Sequence, residues 1–461
     1  MKRYPLLKQG FAVGIILLFI VTCIIPSTAY DIEKTSQLTS RGNWLYVGGS
    51  GPGNYTSIRL ALADASDGDT IFVYSGIYTE WINIEKSIRL IGENKTTTVL
   101  NLEEDDHVSI NADGVTLRGF TIYRGFSGLI VFSNKNTIVD NIFDSNYAEG
   151  IILFHNENNI SDNIFSNFGW GISIYHANFN IISNNIFFDG IVVENSLDNV
   201  GNLITNIVFN NTVNGKPLLY FEGISDTIVD GQDAGEVVLV SCRNVTVQNL
   251  EISNASAGVA LYNSHRCMIK DNIFSNNNYG VYLFLPSKNN IISGNILSYN
   301  QIGIYLWGCG GYHEFQYNNI KNNIIKNNDY GILFERSDRN SISQNDISNN
   351  NIGINLDGSD FNSIRNNDIC SNKNGILVTF ALRNVISSNN FIKNINSASF
   401  YLYFYDPFLF SNIWWHNYWN KPSFLPKLII GWREQQYPPD SSIQWFNIDW
   451  FPAKKPYDIG G

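Results

Sequence analysis

The sequence predicts an all-β solenoid, a stack of similar coils that each hold three short strands. Asparagine predicts it first: Asn318, Asn340, Asn362 and Asn384 are spaced by 22, as are Asn323, Asn345, Asn367 and Asn389. Glycine keeps the same step at Gly331, Gly353 and Gly375. Alternation is the third signal, in "GIILF" (150–154), "GISIY" (171–175), "GVYLF" (280–284) and "GIYLW" (303–307). A long constant period means stacked structural units, and an apolar period of two means strands. A unit of about 22 residues has room for three strands and three turns, and stacking repeats each side chain every ~4.8 Å.

Composition narrows the function classes. The 461-residue chain is 44% hydrophobic, enough for a large core, and only 15% charged, against about 25% in an ordinary domain. Its formal net charge of -11 argues against a nucleic-acid partner, which would call for a basic face.

In chain order, residues 1–29 read as an export signal. Lys2, Arg3 and Lys8 precede the apolar run "FAVGIILLFIVTCII" (11–25), and "STA" (27–29) supplies small residues for cleavage. The run is short for a membrane span of about 20 residues, so the expected product is exported, at the cell surface or outside the cell, and at most peripheral to the membrane. Residues 30–43 read as a linker. Ile58, Leu60, Ala61, Leu62 and Ala65 form the apolar face of a short helix expected to cover the first coil of a stack at 44–396. The stretch 190–236 leaves the register and reads as a looped coil around "NGKPLLYFEG" (214–223). The segment 397–461 carries six of the ten tryptophans among prolines, a composition that does not continue regular strands and reads as a cap on the last coil.

The repeated asparagines read as architecture. Asn tolerates the left-handed backbone of turns, Gly beside it supplies positive φ, and an Asn repeated on each coil forms an amide ladder. Four cysteines follow the signal, and Cys242 and Cys267 stand 25 apart, which keeps a bridge between neighbouring coils open. Sequons at Asn54, Asn94, Asn159, Asn210, Asn244 and Asn254 suit a glycosylated, exported surface.

The opening "LYVGGSGPGNYTSIRLALADASDGDTIFVYSGIYTEWINIEKSIRLIGE" (45–93), together with the repeat, resembles the NosD-like group of right-handed parallel β-helix proteins with pectin-lyase-like folds. The resemblance covers most of 44–461 and supplies the handedness. It also implies copper, and the composition speaks against that: soft copper sites draw on Met, Cys and His, and a single Met, Met268, follows the signal.

No nucleophile elbow, zinc-protease helix or phosphate loop is present, nor the acidic and basic motif sets of polygalacturonases and pectin esterases. No cofactor is expected. His155 and His176 each lie five residues after a Gly and are expected to stack on adjacent coils, a weak metal candidate lacking further ligands. The better candidate is an outward stripe of Phe154, Tyr175, Glu194, Tyr262, Phe284, Trp307, Glu335 and Asp357, flanked by Tyr282 and Tyr305. Aromatic faces pack on sugar C–H faces and carboxylates accept hydroxyl hydrogen bonds. Tyr262, Tyr282, Phe284, Tyr305 and Trp307 are therefore expected to contact a polysaccharide or cell-surface glycan. The insertion 308–317 is placed to wall the groove. Glu335 and Asp357 fall one coil apart, near the roughly 5 Å of a retaining glycosidase pair. The acidic run "EEDDH" (103–107) reads as a solvated loop with a calcium option. The leading expectation is a non-catalytic adhesive or polysaccharide-binding rod. The alternatives are a carbohydrate lyase, epimerase or hydrolase, and an accessory in copper-site maturation. The oligomeric state is not encoded legibly.

Overall fold

Ribbons of short parallel strands, three to a stack, wind around an apolar core in each of two successive stacks, giving a right-handed parallel β-helix. The computed structural model describes residues 42–144, 149–167, 169–194, 205–310, 317–402, 412–423, 425–434 and 442–459. The expected export signal and nearly all of the linker lie outside the described residues.

Coil follows coil in strict register. Ile304 pairs with Ile332, Ile332 with Ile354 and Ile354 with Ile376, all four fully buried. Phe143, Phe165 and Phe187 stack at centroid distances of 5.0 and 4.8 Å. Each strand inserts alternate side chains into this core, which is why the period-two pattern is legible.

The asparagine ladder forms inside the coils. Asn323 Nδ2 donates to Asn345 Oδ1 at 3.0 Å, Asn345 to Asn367 at 2.9 Å, Asn367 to Asn389 at 2.9 Å and Asn389 to Asn417 at 3.0 Å. Two details differ from expectation. The left-handed position belongs to the residue before each rung: Asn322, Gln344, Asn366 and Ser388 have φ of 56°, 58°, 53° and 57°. The register glycines are set by space rather than by φ: a Cβ on Gly353 would lie 2.6 Å from Gly375 O on the next coil. Gly353→Ala is expected to lower stability by about 2–3 kcal/mol in a urea titration, the cost of overpacking.

The stretch 190–236 is a junction. Asn214 and Gly215, both at positive φ, make a two-residue hairpin turn that pairs Thr212–Val213 antiparallel with Lys216–Glu222. Residues opposite one another in an antiparallel pair share a face. Lys216, Leu218, Tyr220 and Glu222 thus lie on the side of Val213, which points into the N-terminal core. The following coils build their core on the other side, from Leu219 and Phe221 through Val237 and Leu239 to Val259 and Leu261. Two stacks therefore share one sheet with inside and outside exchanged, and the outer face of the early C-terminal coils lies against the end of the N-terminal stack. Ser256 N donates to Asp189 O at 2.7 Å, Asn278 Nδ2 to Gly169 O at 3.3 Å, and Ile191 N to Glu236 Oε2 at 3.1 Å across this contact.

At the N-terminal end the helix Ile58–Asp64 buries Ile58, Ala61 and Leu62, while Leu60 is exposed rather than inward. Glu80 accepts from Ile58 N and Arg59 N, and Lys86 Nζ donates to Leu62 O, Ala63 O and Ala65 O, so both helix ends are satisfied. At the other end regular strands run on past 396, through Asn396–Leu402, Ile413–Trp415 and Tyr418–Trp419. The prolines fall outside these strands. A hairpin of Lys427–Glu434 and Ser442–Asp449 follows, and its Asp449 carboxylate receives Asn417 N at 2.9 Å, Asn417 Nδ2 at 3.2 Å and Trp419 Nε1 at 3.1 Å, taking the place of the next asparagine rung.

The four described cysteines are free thiols. Cys242 and Cys267 sit on neighbouring coils at different register positions, opposite Ser264 and Val245, and each thiol donates to a backbone carbonyl.

Candidate functional site

The stripe extends along one face of the C-terminal stack, where Ile302–Trp307, Tyr330–Glu335, Ile352–Asp357, Asn374–Thr379 and Asn396–Leu402 lie side by side. Register places Tyr262, Phe284, Trp307, Glu335, Asp357, Thr379 and Tyr401 in one outward row. Tyr282 and Tyr305 lie in the row beside it.

Burial divides this row in two. Tyr262 is 2% exposed, and Tyr282 and Phe284 are 5% exposed, so the open aromatic stripe expected from sequence ends before Trp307. The rings cover one another: Tyr262 meets Tyr282 edge-on at 5.9 Å, Tyr282 stacks on Tyr305 at 5.2 Å and Phe284 on Trp307 at 4.7 Å with only 9° between planes. Tyr279, beside them, also contacts Trp170 of the N-terminal stack at 6.4 Å. A ring stacked on both faces offers only its edge to a ligand. Trp307 is the last aromatic of its row before the carboxylates, so one of its faces is taken by Phe284 and the other turns toward Glu335.

That face opens on a cleft of about 380 Å3 lined by Trp307, Glu335, Arg336, Asp357, Gly358 and Phe380. Glu335 and Asp357 are direct register partners. Tyr305 Oη donates to Glu335 Oε2 at 2.7 Å, which holds one carboxylate oxygen and leaves the other for the cleft. Partial burial, and then the neighbouring Glu335 charge, raise the Asp357 carboxyl above its usual range, while Arg336 opposes the shift. Burial, followed by the bond to Glu335, raises the Tyr305 phenol, so it stays a donor. Thr379 and Tyr401 continue the floor beyond Asp357.

Arg336 and Phe380 are additions that the sequence reading missed. They stand five residues after Gly331 and Gly375, the register position of His155 and His176, so the signal was present and was read only for histidine. In the N-terminal block Phe154 stacks on Tyr175 at 5.2 Å and on Phe132 at 5.3 Å. The side chain of Glu194, like most of the insertion expected at 308–317, lies outside the described residues.

The described residues do not fit a copper site. His155 and His176 occupy equivalent corners on adjacent coils, but the next equivalent, Asn195, lies outside the described residues. Among the described residues no three of His, Cys, Asp or Glu converge. Burial raises the Cys267 thiol to about 11 and raises Cys242 and Cys309 as well, and all three donate to carbonyls instead of standing as thiolates. The acidic run at 103–106 borders a separate hollow with Arg124, and its carboxylates do not converge as calcium ligands do.

The chain matches the family model described as "Periplasmic copper-binding protein (NosD)" over residues 62–230 and 210–423. No curated protein sequence matches it. Among solved structures it is similar to the A-module of the Azotobacter vinelandii mannuronan C-5 epimerase AlgE6, with 14% identity, 78% of this chain and 86% of that one covered, and a TM-score of 0.30. A mannuronic acid specific polysaccharide family 6 lyase from human gut microbiota gives 14% identity, 66% and 84% coverage and a TM-score of 0.31. Alginate lyase from Paenibacillus sp. str. FPU-7 gives 11%, 66%, 94% and 0.29. These likenesses concern the fold.

Proposed function

This chain belongs to the NosD family, and from that premise we propose that it is an exported β-helix protein of the cell surface that binds polysaccharide without turning it over. One observation carries the reading: the open face of Trp307 above a cleft floored by Glu335 and Asp357. An indole face supplies apolar contact for a sugar ring, and the carboxylates and Arg336 supply acceptors and donors for its hydroxyls. Thr379 and Tyr401 extend the floor along the axis, so a glycan chain lying across successive coils meets a new side chain about every 4.8 Å. Two carboxylates against one guanidinium suit a neutral or amino-bearing glycan better than a uronate polymer, whose charges would meet like charges.

Copper binding, the property in the family's description, is no part of this reading, because the Cys242, Cys267 and Cys309 thiols are hydrogen-bonded inside the coils and, among the described residues, no further ligands converge on the histidines. The family's periplasmic description accords with export, and the cell-surface location is our own reading.

Calorimetric titration with a panel of neutral, amino and uronic oligosaccharides tests the proposal. Trp307→Ala is expected to weaken the best ligand about tenfold or more, the worth of one aromatic contact. Trp307→Phe keeps the stack on Phe284 and should retain much of the affinity. Equal affinity in Trp307→Ala, or no binding across the panel, would overturn the reading. Product release that disappears in Glu335→Gln or Asp357→Asn would replace it with the enzyme reading.

A further inference from the structure

The capping hairpin exposes large apolar side chains on the face turned away from the coil it closes. Its inner face, with Ile429, Gly431, Asn447 and Asp449 buried, closes the last coil. On the outer face Leu428, Ile430 and Trp432 are 53%, 53% and 48% exposed, and Phe446, directly opposite Ile430, is 55% exposed. A solvated hairpin normally carries polar side chains on that side. Trp450 and Phe451 follow at once and are also exposed.

The charge of this end of the chain runs against that of the whole. Residues 412–461 contain Lys421, Lys427, Arg433, Lys454 and Lys455 against Glu434, Asp440, Asp449 and Asp458, a balance of 5 − 4 = +1 in a chain of net -11. Asp449 is fully buried and bonded to Asn417 and Trp419, whereas Lys421, Lys427, Lys454 and Lys455 are exposed. Tryptophan and phenylalanine beside lysine suit the boundary between headgroups and acyl chains, and each lysine near an anionic surface adds to the attraction. A second copy fits less well, since a two-fold contact sets the same patch, on the same basic end of the chain, against itself.

We propose that the outer face of the C-terminal hairpin, formed by Leu428, Ile430, Trp432 and Phe446, docks on an anionic lipid bilayer. This is independent of the glycan reading, which rests on the cleft between Trp307 and Tyr401. Docking at the far end of the stack would hold the protein at a membrane whether or not an N-terminal segment is retained.

The test uses the full chain with vesicles of phosphatidylcholine alone and of phosphatidylcholine mixed with phosphatidylglycerol, each with brominated acyl chains. No tryptophan precedes Trp44, so quenching of tryptophan emission does not report the apolar run at 11–25 directly. The mixed vesicles are expected to quench the wild type, with less quenching in Trp432→Phe. The double variant Ile430→Ser/Phe446→Ser should lose about tenfold or more in affinity while keeping its circular dichroism, because both side chains point outward. Lys454→Glu/Lys455→Glu should lose the preference for the anionic lipid. Unchanged quenching in Trp432→Phe together with unchanged affinity in the serine variant would overturn the proposal. So would a wild-type dimer that the serine variant abolishes, or an oligosaccharide from the panel whose binding the serine variant removes.

Discussion

Asn345→Ala is expected to destabilise the C-terminal stack by about 4 kcal/mol, read as a fall in the urea midpoint. The side chain is fully buried and makes five hydrogen bonds. Its Nδ2 donates to Ile320 O at 3.0 Å, Ser343 O at 3.0 Å and Asn367 Oδ1 at 2.9 Å, and its Oδ1 accepts Asn323 N and Asn323 Nδ2, both at 3.0 Å. Alanine leaves the Asn323 N–H without a partner where water has no access, at roughly 1–3 kcal/mol, and removes the side-chain bonds to Asn323 Nδ2, Ile320 O, Ser343 O and Asn367 Oδ1, worth about 1 kcal/mol each. Because each coil contacts only its neighbours, the loss stays local, and the Asn323 amide should exchange its hydrogen faster than amides several coils away. Gln344→Gly, one residue away at an exposed corner with φ of 58°, should change stability little, since glycine accepts that backbone conformation. A loss below about 1 kcal/mol for Asn345→Ala would mean that the ladder is not what ties the coils together.

The second large effect is a pH dependence centred on Glu236. Its carboxyl is fully buried at the junction, accepts Ile191 N at 3.1 Å and Ala257 N at 3.2 Å, and lies so close to Gly190 that a Cβ there would overlap it. Burial pushes its pKa up to about 8 from an ordinary 4.5, with the two N–H bonds opposing the shift and the Asp189 charge adding to it. The folded-state value lies above the unfolded one, so the proton is held more tightly in the fold. The stability this supplies is complete below about pH 4.5 and is lost as pH rises toward 8. Taking ~1.4 kcal/mol per unit, the loss is on the order of 5 kcal/mol. Glu236→Gln has the same shape without the titration, and its amide sets one N–H against another, a cost that does not vary with pH. The wild type is therefore expected to melt above Glu236→Gln at pH 5, with the gap closing by pH 8.5. A gap that stays constant over that range would show that Glu236 is not the group responsible.

Function and stability draw on different parts of the same repeat. The asparagine rungs, the aliphatic rows and the crowded glycines recur because each coil presents the same surroundings to the next. The cleft appears where the outward row breaks its aromatic run: Phe284 and Trp307 stack, and the next two positions are Glu335 and Asp357. The change of side-chain type leaves one Trp307 face without a stacked ring among the described residues. The acidic partners of the site were legible as departures from the repeat, and Arg336 and Phe380 as members of the register position that also holds His155 and His176.

By itself, the sequence determined the solenoid, its ~22-residue step, the rows that fill the core and the outward register of the candidate site. The reason is periodicity: in parallel coils, equal spacing along the chain becomes direct contact in space. Only the tertiary structure decided which members of the outward row are accessible. Asn214-Gly215 is a strong hairpin signal, but not one that reveals an exchange of inside and outside between two stacks. The contacts that follow have no common spacing, with Glu236 reaching Ile191 across 45 residues and Asn278 reaching Gly169 across 109. The protonation of Glu236, the outer face of the capping hairpin and the burial of Tyr262, Tyr282 and Phe284 likewise arise from surfaces meeting once, and a contact made once leaves no period to read.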